Sequence, residues 1–255
     1  MVHICTSGFS AARQPGQGWT VVPWFAEGMA GQPVPLKVRR FLVDANVSAR
    51  LVPPRGAEAF AYVIAGAGTA AVSPPAERFA LGTESVLWLG TCEDLSLDAG
   101  LDGLDVMVAE TAGPRTGPAV PVRKAFAAAE LPHLVSTRDT RDRLDLVTES
   151  VPVGARAIRA DRIVYHPGDT AAAHYHTDCH HVFCVLAGSG LLHTGAAANR
   201  LEAGDCALVG PGEVHWFEND TAENFSFVEF WAPPPSQTIW TVAGDRCTWA
   251  PATTL

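Results

Sequence analysis

The sequence predicts an all-β fold, two similar barrels joined by a connector with a short helix. Three observations lead there. Short apolar segments recur along the chain, separated by turns rich in Gly, Pro, Asp or Asn. The two halves overlay on one another. Only one stretch, near residues 122–131, has the alanines and long side chains of a helix.

The strand-like segments come in order. Leu36 to Val43, Ala59 to Ile64, Thr69 to Val72 and Ser85 to Leu89 fill the first half. Arg156 to Tyr165, His181 to Leu186, Cys206 to Val209 and Asn224 to Trp231 fill the second. Ala59 to Gly68 reads against His181 to Gly190 at an offset of 122, and Phe79 to Gly82 falls on Leu201 to Gly204 without a gap. Two glycine features at one spacing indicate an internal duplication. Pro114, Gly117, Pro118 and Pro121 open the connector, and Pro132 closes its helix. The expected domains are 1–112, a linker with a short helix at 113–145, and 146–255. The arginine-rich stretch Arg138 to Arg143, balanced by Asp139, Asp142 and Asp145, reads as a solvated connector.

Bulk properties narrow the function. The net charge of −9 and the lack of a basic stripe argue against nucleic acid. No apolar run is long enough for a bilayer, and the first residues do not read as a signal peptide, so a cytoplasmic location is expected. The six cysteines include no CxxC pair and are expected to be reduced thiols.

The chemistry gathers in the second half. Four of the nine histidines fall within eight residues, as His174, His176, His180 and His181, and His215 follows in a later apolar run. His174 and His176 share a strand face, because side chains two apart point the same way. Gly168, five residues, His174-x-His176, four residues, His181, six residues and Gly188 form one motif. Gly204, five residues, Gly210-Pro211-Gly212, two residues, His215, three residues and Asn219 form a second. Together they resemble the two motifs of the cupins, small double-stranded β-helix (jelly-roll) barrels. The resemblance implies a bicupin, with a metal-binding C-terminal barrel and a degenerate N-terminal one. His181 stands where that family carries a glutamate. At the 122-residue offset the four histidines His174, His176, His181 and His215 fall on Val52, Pro54, Ala59 and Glu93, so one metal per chain is expected.

His174, His176, His181 and His215 are the expected ligands of a divalent transition metal. Nitrogen donors suit Fe(II), Zn, Ni or Mn better than Mg or Ca. His180 is an alternative to His181 through a one-residue register shift, or a neighbour of the ligand shell; Cys179 is a weaker candidate. Phe183, Val185 and Phe217 have the parity to line a substrate pocket. Glu229 shares parity with Phe225, Phe227 and Trp231, and a carboxylate in such a row needs a partner or a role. It and His180 are the candidate catalytic groups. Tyr175 should face away from the metal. Arg39, Arg40 and Arg50 read as rim charges, and Trp240 and Trp249 as cover for the barrel or a partner surface. The neutral ligand set favours an Fe(II) dioxygenase for a small anionic substrate. A Zn-, Ni- or Mn-dependent isomerase, cyclase or lyase is the alternative, and a binding barrel without turnover is the third reading. A homodimer is expected.

Overall fold

The computed structural model describes residues 3–6, 12–14, 18–25, 34–52, 57–73, 76–90, 94–111, 123–148, 157–235 and 237–252. Among them are 22 strands and a single 3-10 turn, so the chain is all-β. It divides into two compact units. One comprises Gly8–Leu131 and Glu149–Ala157, the other Met1–Ser7, Pro132–Thr148 and Ile158–Leu255.

In the N-terminal unit, two long strands, Ala59–Ser73 and Asp94–Thr111, pair along their length. Their register shifts between Val63 and Ala65 and again between Gly66 and Gly68. At Gly66 the backbone takes φ +85°, and a Cβ would collide with the Gly103 carbonyl oxygen. Only glycine fits such an approach. Leu36–Val43 and Val86–Leu89 flank the long pair. Phe41, Leu51, Leu87, Leu95, Val106 and their neighbours form one aliphatic core. Arg39, Arg40 and Arg50 are each paired with a carboxylate, Glu110, Asp105 and Asp94 respectively, at 2.6 Å.

The C-terminal unit has two antiparallel sheets. The larger runs His3–Cys5, Cys206–Val209, His180–Ala187, Phe225–Ala232, Arg159–Tyr165, Asp142–Val147, His133–Ser136, Trp249–Pro251. The smaller runs Ala197–Glu202, Ser189–Thr194, His215–Glu218, His174–Tyr175, Ile239–Trp240. Phe183 and Val185 from the first sheet and Leu192, Leu201 and Phe217 from the second share one buried core. Gly188 here repeats the role of Gly66: φ is +72°, and a Cβ would collide with the Asn224 carbonyl oxygen.

Several expectations need correction. The helix over 122–131 is instead a strand, Arg123–Phe126, followed by a 3-10 turn, Ala128–Glu130. The strand pairs with Val86–Leu89. A ten-residue helix is marginal on its own, and a free sheet edge offers hydrogen bonds that outweigh local propensity. The latter part of the expected linker is strand too: His133–Ser136 and Asp142–Val147 belong to the larger C-terminal sheet.

The match of Gly82 to Gly204 also shifts. The turn Gly82 to Ser85 corresponds to Glu202 to Asp205, an offset of 120. In each, the fourth residue's backbone N–H donates to the first residue's carbonyl and its side chain accepts from the first residue's N–H, all at 2.9 Å. Glu84, at φ 64°, holds the left-handed position that Gly204 holds at φ 92°.

Strand register locates the N-terminal counterparts of the histidine positions. His174 pairs with His215, and Leu51 pairs with Leu95. Thr194 pairs with His215, and Val72 pairs with Leu95. The counterparts of His174 and His215 are therefore Leu51 and Leu95. Val52, expected from the ungapped offset, is 69% exposed. Pro54 and Glu93 lie outside the described residues. Ala59 matches His181, and Val108 matches Glu229 through their cross-strand partners. Leu51, Ala59, Leu95 and Val108 all lie in the aliphatic core.

Candidate metal centre

His174 and His215 face one another on adjacent strands of the smaller sheet, and His176 follows two residues after His174. The ligand nitrogens of His174, His176 and His215 all lie within 4.8 Å of one another. Each ring is oriented by a backbone carbonyl at Nδ1: Ala172 O at 2.9 Å, Gln237 O at 3.3 Å and Glu213 O at 2.9 Å. A carbonyl only accepts, so each Nδ1 carries the proton and each Nε2 keeps its lone pair. Three imidazoles held this way by their second nitrogen suit a metal. Burial pushes His174 down to about 4, aided by His176 and Arg141. It drives His215 well below the ordinary histidine range, with His174 and His176 adding to the effect. Neutral rings at physiological pH are the state a metal requires.

His181 is buried beside this group but outside it. Its Nδ1 lies 3.2 Å from His215 Nε2 and its Nε2 lies 3.1 Å from Glu229 Oε2. Burial and then the three other histidines press its pKa well down. Burial and then Asp161 push Glu229 well up. Both shifts favour a neutral pair. Glu229 donates its proton to His181 Nε2, and His181 Nδ1–H donates to His215. Two nitrogens about 2.1 Å from one metal stand about 3.0–3.4 Å apart for bond angles of 90–109°. The His181–His215 separation fits that range.

The histidines open onto a cavity of about 180 Å³. Phe183, Phe217, Trp231 and Glu229 line it, as do Arg141, Arg143, Arg159, Tyr165, Trp240, Cys247 and Trp249. Val185 does not: its parity is inward, but it sits one pair deeper, in the core beside Phe225 and Phe227. His180 does not line the cavity either. It neighbours His181 on the same strand and points to the opposite face, away from the histidine cluster. Cys179 is buried, and its thiol is pushed up to about 12 by burial and then by Asp178, which makes it a poor ligand. Tyr175 is absent from the lining, as parity requires.

Sequence reasoning missed the arginines. Arg141, expected in a solvated connector, is 2% exposed. Its guanidinium packs on Tyr165 and Trp249, 4.9 and 5.5 Å from their ring centres. Arg143 also packs on Trp249, and Arg159 packs on Trp231. Trp240 and Trp249 thus face the cavity rather than only covering the barrel. The available signal was alternation: Arg141, Arg143 and Asp145 share a strand face, as do Arg159, Asp161 and Ile163.

Residues 161–231 match the family model described as Cupin domain. The fold is that of the cupin superfamily. No curated protein sequence matches the chain significantly. Solved structures of similar fold include protein Ylba from E. coli, with TM-score 0.74, 16% identity, and coverage of 91% of this chain and 90% of that one. Oxalate decarboxylase from Lactobacillus farciminis, in a formate complex, has TM-score 0.74 and 14% identity, covering 93% and 88%. A putative glyoxylate induced protein from Pseudomonas aeruginosa has TM-score 0.75 and 11% identity, covering 92% and 91%. At these identities the likeness is one of fold. No helix among the described residues is long and apolar enough to cross a membrane.

Proposed function

We propose that the C-terminal cupin unit is a metal-dependent enzyme that carries out a non-redox lyase reaction on a small carboxylate. The observation that carries this reading is one cavity shared by three clustered imidazoles, three guanidinium groups and the buried Glu229. His174, His176 and His215 would hold the metal through Nε2, and His181 would add a fourth donor, Nδ1, once the proton there has moved away. A nitrogen-rich set of this kind accepts manganese, zinc or nickel as well as iron. When bound, the metal would supply Lewis-acid polarisation of a substrate oxygen.

The chain's own residues provide the rest. The arginines attract and orient an anion in a site where aromatic walls limit water. Glu229 holds a proton at Oε2 that it can deliver to a substrate carbon left electron-rich by bond cleavage. His181 Nε2, 3.1 Å from that oxygen, holds the carboxyl group in place. The N-terminal unit, with Leu51, Ala59, Leu95 and Val108 at the corresponding places, would bind no metal there.

Two fold neighbours are named for small acids, one of them a decarboxylase. That supports bond cleavage over the iron-dependent dioxygenation expected from ligand charge alone. The test is turnover of a panel of small carboxylates by metal-loaded protein, followed by NMR with and without oxygen. Equal rates under strict anaerobiosis are expected. Turnover that stops without O₂ would reject the lyase reading and restore dioxygenation.

A further inference from the structure

We infer that Arg141 and Tyr165 form a carboxylate-binding subsite in this cavity, so that the ligand is a short acid with its carboxylate at Arg141 and an oxygen donor at its other end. The identification of that acid as a substrate rests on the proposed function; the binding does not.

The hydrogen-bond inventory carries the argument. A guanidinium has five N–H donors. Arg141 uses Nε–H on Asp139 Oδ1 at 2.8 Å, one Nη1–H on Tyr165 Oη at 3.0 Å and one Nη2–H on Cys247 Sγ at 2.9 Å. One hydrogen remains on each Nη nitrogen. Tyr165 accepts from Arg141 and keeps its own hydroxyl hydrogen to donate. These three donors match the two oxygens of a carboxylate. Tyr165 and Trp249 also pack against the guanidinium, with ring centres 4.9 and 5.5 Å away.

Arg143 is held by Asp145 at 2.5 Å and by Asp161 at 3.4 Å, and Arg159 by Asp161 at 3.4 Å. Arg141 is paired as well, with Asp139 at 2.8 Å, but through Nε alone, so one hydrogen stays on each Nη nitrogen. Asp139, Asp145 and Asp161 do not line the cavity, whereas all three arginines do. Glu229 is the sole carboxyl among the described lining residues, and it is engaged with His181. Three guanidinium groups thus border the cavity while their partner aspartates stand behind them, outside the lining. The cavity's size limits the guest. A cavity of about 150 Å³ accepts benzene, so about 180 Å³ suits a molecule slightly larger than that.

The test uses the full-length protein and isothermal titration with acetate, malonate and succinate, metal-loaded and metal-free. At least one acid should bind the metal-free chain, and the corresponding neutral amide should bind at least tenfold more weakly. Arg141→Gln should weaken the acid at least tenfold in the metal-loaded chain with metal content unchanged. Arg141→Lys, which keeps the charge but loses the fork, should weaken it several-fold. Equal binding of acid and amide, no binding of any acid by wild type, or wild-type affinity in folded Arg141→Lys would each overturn the subsite. If Arg141→Gln does not fold, the amide comparison and Arg141→Lys decide. Arg141-dependent binding without turnover of any acid would remove the lyase reading and leave the subsite standing. Turnover unaffected by Arg141→Lys would do the reverse.

Discussion

Replacing Glu229 by glutamine should stabilise the metal-free protein, and by more as pH rises. Glu229 is 6% exposed and pairs with His181 Nε2 at 3.1 Å. Burial and then Asp161 raise its folded pKa well above its ordinary value of 4.5. A carboxyl with a raised folded pKa carries its full stability below the unfolded value and loses it as pH climbs toward the folded one. Each pH unit in that window costs about 1.4 kcal/mol. In Glu229→Gln the new amide N–H can donate to His181 as the protonated acid does, and the amide has no proton to retain. From pH 5 upward the variant should therefore gain on wild type by up to about 1.4 kcal/mol per pH unit until the folded carboxyl ionises. Alanine leaves the buried imidazole nitrogen without a donor and should cost about 1–3 kcal/mol. The assay is urea unfolding of metal-free protein at pH 5, 6 and 7, followed by tryptophan fluorescence, since Trp231 stacks on His181 with ring centres 4.5 Å apart. A difference between wild type and Glu229→Gln that does not change with pH would refute the neutral Glu229–His181 pair.

Acid should act in the opposite sense through the histidines. His174 has its folded pKa pushed down to about 4, so its stability is present above the ordinary 6.5 and is lost as pH falls toward 4, about 3 kcal/mol in all. His181 and His215 shift the same way, so urea midpoints of metal-free protein should drop steeply below pH 6.5, and a flat profile would count against neutral buried rings. Chelation should lower the thermal midpoint of the C-terminal unit, since metal at a hundred times its dissociation constant adds about 2.7 kcal/mol; scanning calorimetry before and after chelator should show one shifted transition. Gly188→Ala should cost at least about 3 kcal/mol, because a left-handed φ is joined by a backbone collision. Gly195→Ala, at φ +58° with open space around it, should cost about 1–2 kcal/mol, and equal losses in urea would contradict the close-approach argument.

Much of this arrangement was legible in the sequence, and the failures have physical causes. Leu36–Val43 and Cys206–Val209 appear at the boundaries the apolar runs suggest. The spacing of His174, His176 and His215 pointed to residues that cluster in the structure, because strand parity is a local property. Parity gives the face of a residue but not its depth, which is why Phe183 lines the cavity and Val185 does not. The strand Asp94–Thr111 escaped notice because Asp94, Asp98, Asp102 and Asp105 interrupt its apolar pattern, and its pairing is supplied by distant segments. Arg141 looked solvated because adjacent aspartates balance its charge in sequence. Only the fold places Tyr165 and Trp249 against it. The helix over 122–131 was a reading of local propensity that an available sheet edge overrode.

Metal stoichiometry tests the central claim most directly. The full-length protein, loaded with manganese, zinc or iron and freed of excess, should contain one metal per chain. His176→Ala and His215→Ala should each lose most of it while remaining folded. Two metals per wild-type chain would contradict the aliphatic replacement at Leu51 and Leu95, and full occupancy in either histidine variant would contradict the ligand assignment.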